Sequence, residues 1–162
     1  MDIQPDEARR ALVLHDRKLV VDLIQLTLNH GLFVVRPAGS LAEAEQILAD
    51  WQPHMAVIDM DHDDSGPLLQ LLGASQTLTQ SATPALGLTR RGDLQTKLRA
   101  FDLGVDDILT MPFSPEELLA RSIVITRRVR AQTGPSSPSS SWARWRSISS
   151  SARSAPASRS FT

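Results

Sequence analysis

No cysteine occurs in the 162 residues of the chain. This absence excludes a disulfide framework, a zinc site built from thiolates and a cysteine nucleophile. Long apolar runs are also missing, because no stretch approaches the roughly 18 residues that cross a bilayer. The polar N-terminus, MDIQPDEARR, is not followed by the apolar segment of a secretion signal. We therefore expect a soluble, cytoplasmic protein that does not associate with membranes.

Acidic residues are confined to the first four fifths of the sequence. The formal net charge is −1, but residues 1–133 hold 13 of the 17 bases and all 18 acids. This acidic balance argues against a nucleic-acid-binding surface. The length suits one domain with its own core, and we place an N-terminal arm at 1–9 and the domain at 10–132. Residues 133–162 are rich in Ser, Arg and Pro without an apolar period, which predicts a disordered tail.

Short apolar runs alternate with helical patterns along the domain. The runs predict strands at 11–14, 32–35, 55–58, 84–88 and 107–110, and the patterns between and after them predict helices at 17–28, 41–51, 67–78, 93–103 and 114–130. Five βα units in strict alternation predict an α/β fold. Its parallel sheet is expected to carry helices on both faces in a doubly wound arrangement.

Polar residues stand at the ends of three predicted strands. Asp16 follows the first strand, Asp59 ends the run MAVID, and Thr89 ends the run ALGLT. The carboxyl ends of parallel strands meet at one edge of the sheet, where ligands bind. Two carboxylates there repel each other, and Mg²⁺ held by oxygen ligands would relieve the repulsion. Asp59 could then attack a phosphoryl donor and form an aspartyl phosphate. A solvated acidic turn that caps the next helix is the alternative interpretation of the acids at 59–64.

These residues carry a resemblance to a known family. Residues 10–132 resemble the receiver domain of two-component response regulators, and GVDDILTMPFSPEELLAR is similar to the OmpR/PhoB-type subclass. The resemblance implies the flavodoxin-like (CheY-like) strand order 2-1-3-4-5. It further implies that Asp59 accepts a phosphoryl group from a sensor histidine kinase and that Thr89 is the switch hydroxyl. Mg²⁺ would be held by Asp16, by Asp59 and by the backbone carbonyl of Asp61.

Four features depart from the pattern of that family. His15 replaces the first acid after strand 1, Ile108 replaces the switch aromatic, and Met111 replaces the lysine before Pro-Phe. The turn MDHDDSG after Asp59 is one residue shorter than usual. Each change weakens phosphorylation, so we expect a degenerate receiver that is slow to phosphorylate or is regulated without phosphorylation. The alternative is that Ile108 and Met111 are simply good core residues.

Two other kinds of site are weaker alternatives. His15, His54 and His62 lie near acids, but no His-x-x-x-His spacing occurs and His62 is expected in a mobile loop, which argues against a transition-metal site. A metal-dependent phosphohydrolase would use the Asp-x-Asp pattern that begins at Asp59, but Met111 replaces the lysine it needs. We therefore expect no enzymatic activity.

The resemblance also implies a symmetric homodimer through helix 4, strand 5 and helix 5. Cross-subunit ion pairs hold such dimers, and Lys97, Asp107, Glu117 and Arg121 match those positions with the right signs. A further pair is lost because Ile123 replaces the base expected opposite Asp102. Exposed pairs of this kind set register more than affinity, and a solvated charged face is the alternative interpretation.

A winged-helix DNA-binding domain is expected after residue 132 in this subclass, and the tail does not resemble one. Back-translated with GC-rich codons and read in another frame, the tail permits VGEVEIDL, which resembles the opening strand of such a domain. We therefore expect a frameshift, which the nucleotide sequence past Thr133 would test. The alternative is a stand-alone receiver with a tail.

Overall fold

The computed structural model of the chain describes residues 8–30, 32–74 and 83–132, with side chains described as far as 127. The tail predicted at 133–162 and most of the arm predicted at 1–9 lie outside these residues. None of the described helices is long and apolar enough to cross a membrane.

Five strands and five helices alternate along the described chain, as the sequence predicts. They are β1 (Arg9–Leu14), α1 (Lys18–Leu28), β2 (Phe33–Ala38), α2 (Leu41–Trp51), β3 (Met55–Asp59), α3 (Ser65–Ala74), β4 (Ala85–Thr89), α4 (Leu94–Asp102), β5 (Asp107–Thr110) and α5 (Pro115–Gln132). All strand pairs are parallel, and the order across the sheet is β2-β1-β3-β4-β5. The predicted fold class and strand order are confirmed.

Several element ends differ from the prediction by one to three residues; β1, for example, begins at Arg9 and not at 11. β2 continues three residues beyond the predicted end at 35, through Pro37, which lies opposite Val13 of β1. A proline without an N–H is tolerated there because β2 is an edge strand with only one neighbour. α3 begins at Ser65, two residues before its predicted start. The predicted end of α3 at 78 lies outside the described residues.

Two apolar cores lie on opposite faces of the sheet. Val13 and Val57 point into the core that Ile24 of α1 and Leu118 of α5 complete. The intervening strand residues point to the other face, where the core contains Leu12, Ile58, Ala44, Leu68 and Ala100. Because helices cover both faces, the central strands are buried on both sides. The carboxyl edge of the sheet is left for the polar residues.

Helices α1 and α4 each carry several large apolar side chains that the cores do not bury. On α1, Leu19 is 84% exposed and Leu26 is 66% exposed. On α4 only Ala100 is buried, whereas Leu94, Leu98 and Phe101 are 71%, 54% and 46% exposed. These three residues lie at spacings of four and three and so share one face of the helix. We refer to them as the α4 stripe.

Candidate functional site

The strand register brings His15 and Asp59 together at the carboxyl edge. Leu14 of β1 lies opposite Ile58 of β3, so the next residues of the two strands are neighbours. His15 is 3% exposed and Asp59 is 2% exposed. The Nε2 atom of His15 lies 3.5 Å from Oδ2 of Asp59. The candidate phosphoacceptor is therefore a buried carboxylate that faces an imidazole.

The hydrogen bonds of His15 fix which ring nitrogen carries the proton. Its Nδ1 accepts the backbone N–H of Arg17 at 3.0 Å, which places the proton of a neutral ring on Nε2. Burial lowers the pKa of His15, and the carboxylates of Asp59 and Asp16 oppose this only in part. The neutral imidazole therefore directs its Nε2–H toward Asp59. At 3.5 Å the contact is too long for a good hydrogen bond, and Nε2 has no hydrogen-bond partner in the described chain.

A second histidine contacts the other predicted metal ligand. Nε2 of His62 lies 2.8 Å from Oδ1 of Asp16, and the imidazole is largely buried. Nδ1 of His62 accepts the backbone N–H of Asp64 at 3.0 Å, so Nε2 again carries the proton. Sequence reasoning assigned His62 to a mobile loop and missed this contact. The one available signal was the shortened turn after Asp59.

Asp61 and Asp64 of the β3–α3 loop are also engaged. Asp61 donates its N–H to Oδ1 of Asp59 at 3.0 Å, and its carboxylate accepts the backbone N–H of Arg90 at 3.4 Å. The guanidinium Nε of Arg90 lies 3.7 Å from the same carboxylate. Asp64 accepts the N–H of Leu41 at 2.8 Å and so caps α2. The loop is thereby attached to β1, α2 and the end of β4.

Thr89 and Ile108, the two predicted switch positions, are both buried. Thr89 is 1% exposed, and its hydroxyl oxygen accepts the N–H of Arg91 at 3.1 Å. Ile108 is 8% exposed and belongs to the core that contains Val105. The interpretation of Ile108 as a core residue agrees with this burial. Thr89 occupies the end of β4 that the sequence analysis assigned to it.

Met111 lies in apolar surroundings at the start of the β5–α5 loop. It lines an open cavity of about 430 Å³ together with Val20, Leu23 and Phe113. Arg17 and Arg90 line the same cavity. Met111 itself is only partly buried, so it is not a core residue in the sense of Ile108. The cation that the family carries at this position is replaced by an apolar side chain.

The resemblance to receiver domains implies Mg²⁺ at the phosphorylation site, and the donors in this chain do not fit that ion. Nε2 of His62 lies 2.8 Å from the carboxylate of Asp16, and the carboxylate of Asp59 faces His15. Among the described residues, no group of three or more His, Asp or Glu side chains could hold a metal ion. The predicted ligands Asp16, Asp59 and Asp61 are neighbours at one edge, but they do not form a metal cage.

The predicted dimer-face residues divide into an internal network and one lysine. Arg121 donates to both carboxylate oxygens of Asp107 at 3.0 and 2.8 Å and to Glu117 at 3.1 and 2.9 Å. Lys97 forms no ion pair with the described residues. Ile123, which replaces an expected base, is partly buried against the core below α5. Three of the four predicted charges are therefore paired within one chain.

Known proteins show the same architecture and sequence pattern. The profile of the response regulator receiver domain family matches residues 11–122. Response regulator MprA of Mycobacterium sp. (strain KMS) is 33% identical over 131 residues, which are 80% of this chain and 55% of MprA. The phosphate regulon transcriptional regulatory protein PhoB of Klebsiella pneumoniae is 31% identical over 123 residues, 75% of this chain and 53% of PhoB. The chain spans about half the length of these curated relatives.

Solved structures agree with this assignment. A protein of Chloroflexus aurantiacus described as a response regulator superposes with a TM-score of 0.66 at 30% identity, covering 74% of this chain and 98% of its own. DrrB of Thermotoga maritima, an OmpR/PhoB homologue, superposes with a TM-score of 0.62 at 27% identity, covering 75% of this chain and 54% of DrrB. The chain belongs to the response regulator receiver domain family and is related to its OmpR/PhoB-type members.

Proposed function

We propose that this chain is a cytoplasmic receiver module of two-component signalling that acts through a homodimer formed by the α4, β5 and α5 face. The α4 stripe is the observation that carries the proposal. Leu94, Leu98 and Phe101 expose about half or more of their surface on one side of a helix that buries only Ala100. Contiguous apolar side chains of this kind mark interaction surfaces. A second copy would cover them.

The charges beside the stripe support a symmetric contact. Lys97 lies between Leu94 and Leu98 in sequence and has no acidic partner in the described part of its own chain. Glu117 of α5 is partly exposed even though it contacts Arg121, so a lysine from a second copy can reach its carboxylate. In a twofold dimer each contact of this type occurs twice. Arg121 would position Glu117 and Asp107 for the partner instead of crossing the interface itself.

Sedimentation velocity tests the dimer directly. We expect the wild type to associate reversibly, and Leu98→Glu should weaken the association because it buries a charge in the apolar contact. Leu26→Glu is the matched control, because Leu26 is similarly exposed but lies on α1. A wild type that stays monomeric at all concentrations would refute the proposal. Equal association of Leu98→Glu and wild type would refute the assignment of the face.

Within this module we propose that Asp59 is the phosphoacceptor and that a sensor histidine kinase is the upstream partner. Support comes from the position of Asp59 at the end of the central strand β3, with Thr89 at the end of the neighbouring β4. Incubation with acetyl phosphate followed by intact mass spectrometry should show one phosphoryl adduct. The adduct should be missing from Asp59→Asn. An adduct that persists in this variant would refute the assignment.

A second candidate function is a pseudo-receiver that dimerises without phosphorylation. Two observations favour it, namely the imidazole of His15 against Asp59 and the apolar Met111 where a cation is expected. The two candidates predict different results in one experiment. If acetyl phosphate gives no adduct and Asp59→Asn dimerises like the wild type, the second function holds. Turnover of a phosphoester would instead support a phosphohydrolase.

A further inference from the structure

The carboxylates at the sheet edge are contacted by two imidazoles of the same chain. Both rings have the same arrangement, in which Nδ1 accepts a backbone N–H and Nε2 faces a carboxylate. For His15 the backbone donor is Arg17 and the carboxylate is Asp59. For His62 the donor lies on the β3–α3 loop and the carboxylate is Asp16. The two predicted side-chain ligands of Mg²⁺ therefore each face an N–H donor.

This arrangement is the reverse of what a metal-binding histidine needs. A histidine that binds a metal through Nε2 must carry its proton on Nδ1, which then donates to a neighbouring acceptor. Here the neighbour of each Nδ1 is itself a donor, so an Nδ1–H ring would set two N–H groups against each other. His15 and His62 are therefore not in the tautomer that would bind Zn²⁺ or another transition metal through Nε2.

From this geometry we infer that the Asp59 site is independent of divalent cations, because an Nε2–H group faces each carboxylate that Mg²⁺ would need, that of His15 at 3.5 Å from Asp59 and that of His62 at 2.8 Å from Asp16. The contact of His62 with Asp16 is short, and the loop that carries it is attached at Asp61 and Asp64 as well. The imidazole of His62 takes one oxygen of Asp16, Oδ1, although the Asp16 side chain is 70% exposed, so the buried imidazole of His15 against Asp59 is the main obstacle to a shared cation. This inference does not depend on the dimer.

Binding of the metals themselves tests the inference. Isothermal titration with Mg²⁺ and electron paramagnetic resonance with Mn²⁺ should show no saturable site on the wild-type chain. The double variant His15→Asp/His62→Ala should gain a saturable site, with affinity at least about tenfold above any wild-type binding, because oxygen ligands replace one imidazole and the other is removed. Adding Asp59→Asn to that variant should remove the gained site. Saturable wild-type binding that Asp59→Asn abolishes would overturn the inference.

A second measurement needs no variant and therefore does not depend on the folding of one. Long-range ¹H–¹⁵N correlation spectra of the wild type should show both His15 and His62 as neutral Nε2–H rings. The spectra should not change when Mg²⁺ or Zn²⁺ is added. An Nδ1–H ring at either position, or a shift of these signals with saturating metal, would overturn the inference.

Discussion

Arg121 should stabilise the folded chain through its contact with Asp107, and the size of this effect follows from the structure. One guanidinium nitrogen, Nη1, contacts both oxygens of Asp107 at 3.0 and 2.8 Å, and the two side chains are 36% and 28% exposed. Fully exposed pairs contribute about 0.2–1 kcal/mol, and hydrogen bonds to charged groups about 1.5–3 kcal/mol. Partial exposure places this pair between these ranges, at about 1 kcal/mol.

A double-mutant cycle with Arg121→Gln and Asp107→Asn measures this coupling energy. Urea unfolding of the four proteins should give about 1 kcal/mol, and the value should fall in 1 M salt, where the screening length is about 3 Å. The matched control is the pair Lys18 and Asp22, whose side chains are 86% and 49% exposed. Its coupling energy should be at most about 0.5 kcal/mol.

The same cycle decides whether the Arg121 pair lies within one chain. An intramolecular pair gives a coupling energy that does not depend on protein concentration, whereas a pair between subunits gains from mass action. We expect the same value over an about hundredfold concentration range. A coupling energy below about 0.3 kcal/mol, which is within the error of such cycles, would refute the reasoning. A value that rises with concentration would assign Arg121 to the subunit interface.

Three further predictions follow from the site and its surroundings. Burial lowers the pKa of His15, so the unfolded chain binds a proton at this residue more readily than the folded chain does. The stability that the neutral ring contributes is therefore complete above about pH 6.5 and is lost as the pH falls through the folded pKa. His15→Gln should flatten the decline of the unfolding free energy below about pH 6.5, and equal slopes in variant and wild type would contradict this. Met111→Lys should raise the yield or lifetime of the phosphoryl adduct that acetyl phosphate forms, because a desolvated cation stabilises phosphoryl charge. The neutral variant Met111→Gln is the control. An unchanged yield would mean that His15 or the short loop is the limiting defect. Gly87→Ala should lower the free energy of unfolding, measured by thermal unfolding, by about 1 kcal/mol, because the new Cβ would lie 3.0 Å from Cγ of Met60. Adding Met60→Ala should recover part of this loss. An additive loss in the double variant would contradict the packing argument.

The alternation of strands and helices and the position of Asp59 could be predicted because their signals are local, whereas the strand order 2-1-3-4-5 came from the resemblance to the receiver family. A buried run such as MAVID that ends in an acid specifies both a central strand and the residue at its carboxyl end. The placement of Ile108 in a core follows from the same kind of pattern. These features depend on apolar periodicity and βα alternation, which one sequence displays directly.

Contacts between separate loops could not be predicted in this way. The contact of His62 with Asp16 joins residues from two strand ends, and its geometry depends on how the short turn closes. The exposure of Leu19 and Leu26 could not be predicted from the helical period of α1 either. Such a period shows which side chains are apolar but not how much of each side chain a neighbouring element covers. Prediction therefore failed where tertiary geometry, and not periodicity, decides.

The attachments of the β3–α3 loop have a consequence for how the sequence of this edge can change over time. While the loop holds His62 on Asp16, exchanging His15 for an acid adds a carboxylate beside Asp59 and leaves one oxygen of Asp16, Oδ1, in contact with the imidazole. A lineage that also loses the His62 contact or lengthens the loop gains that oxygen as a further ligand. Lengthening the loop also risks the cap that Asp64 provides to α2. The effect of each substitution thus depends on which of the others came before it.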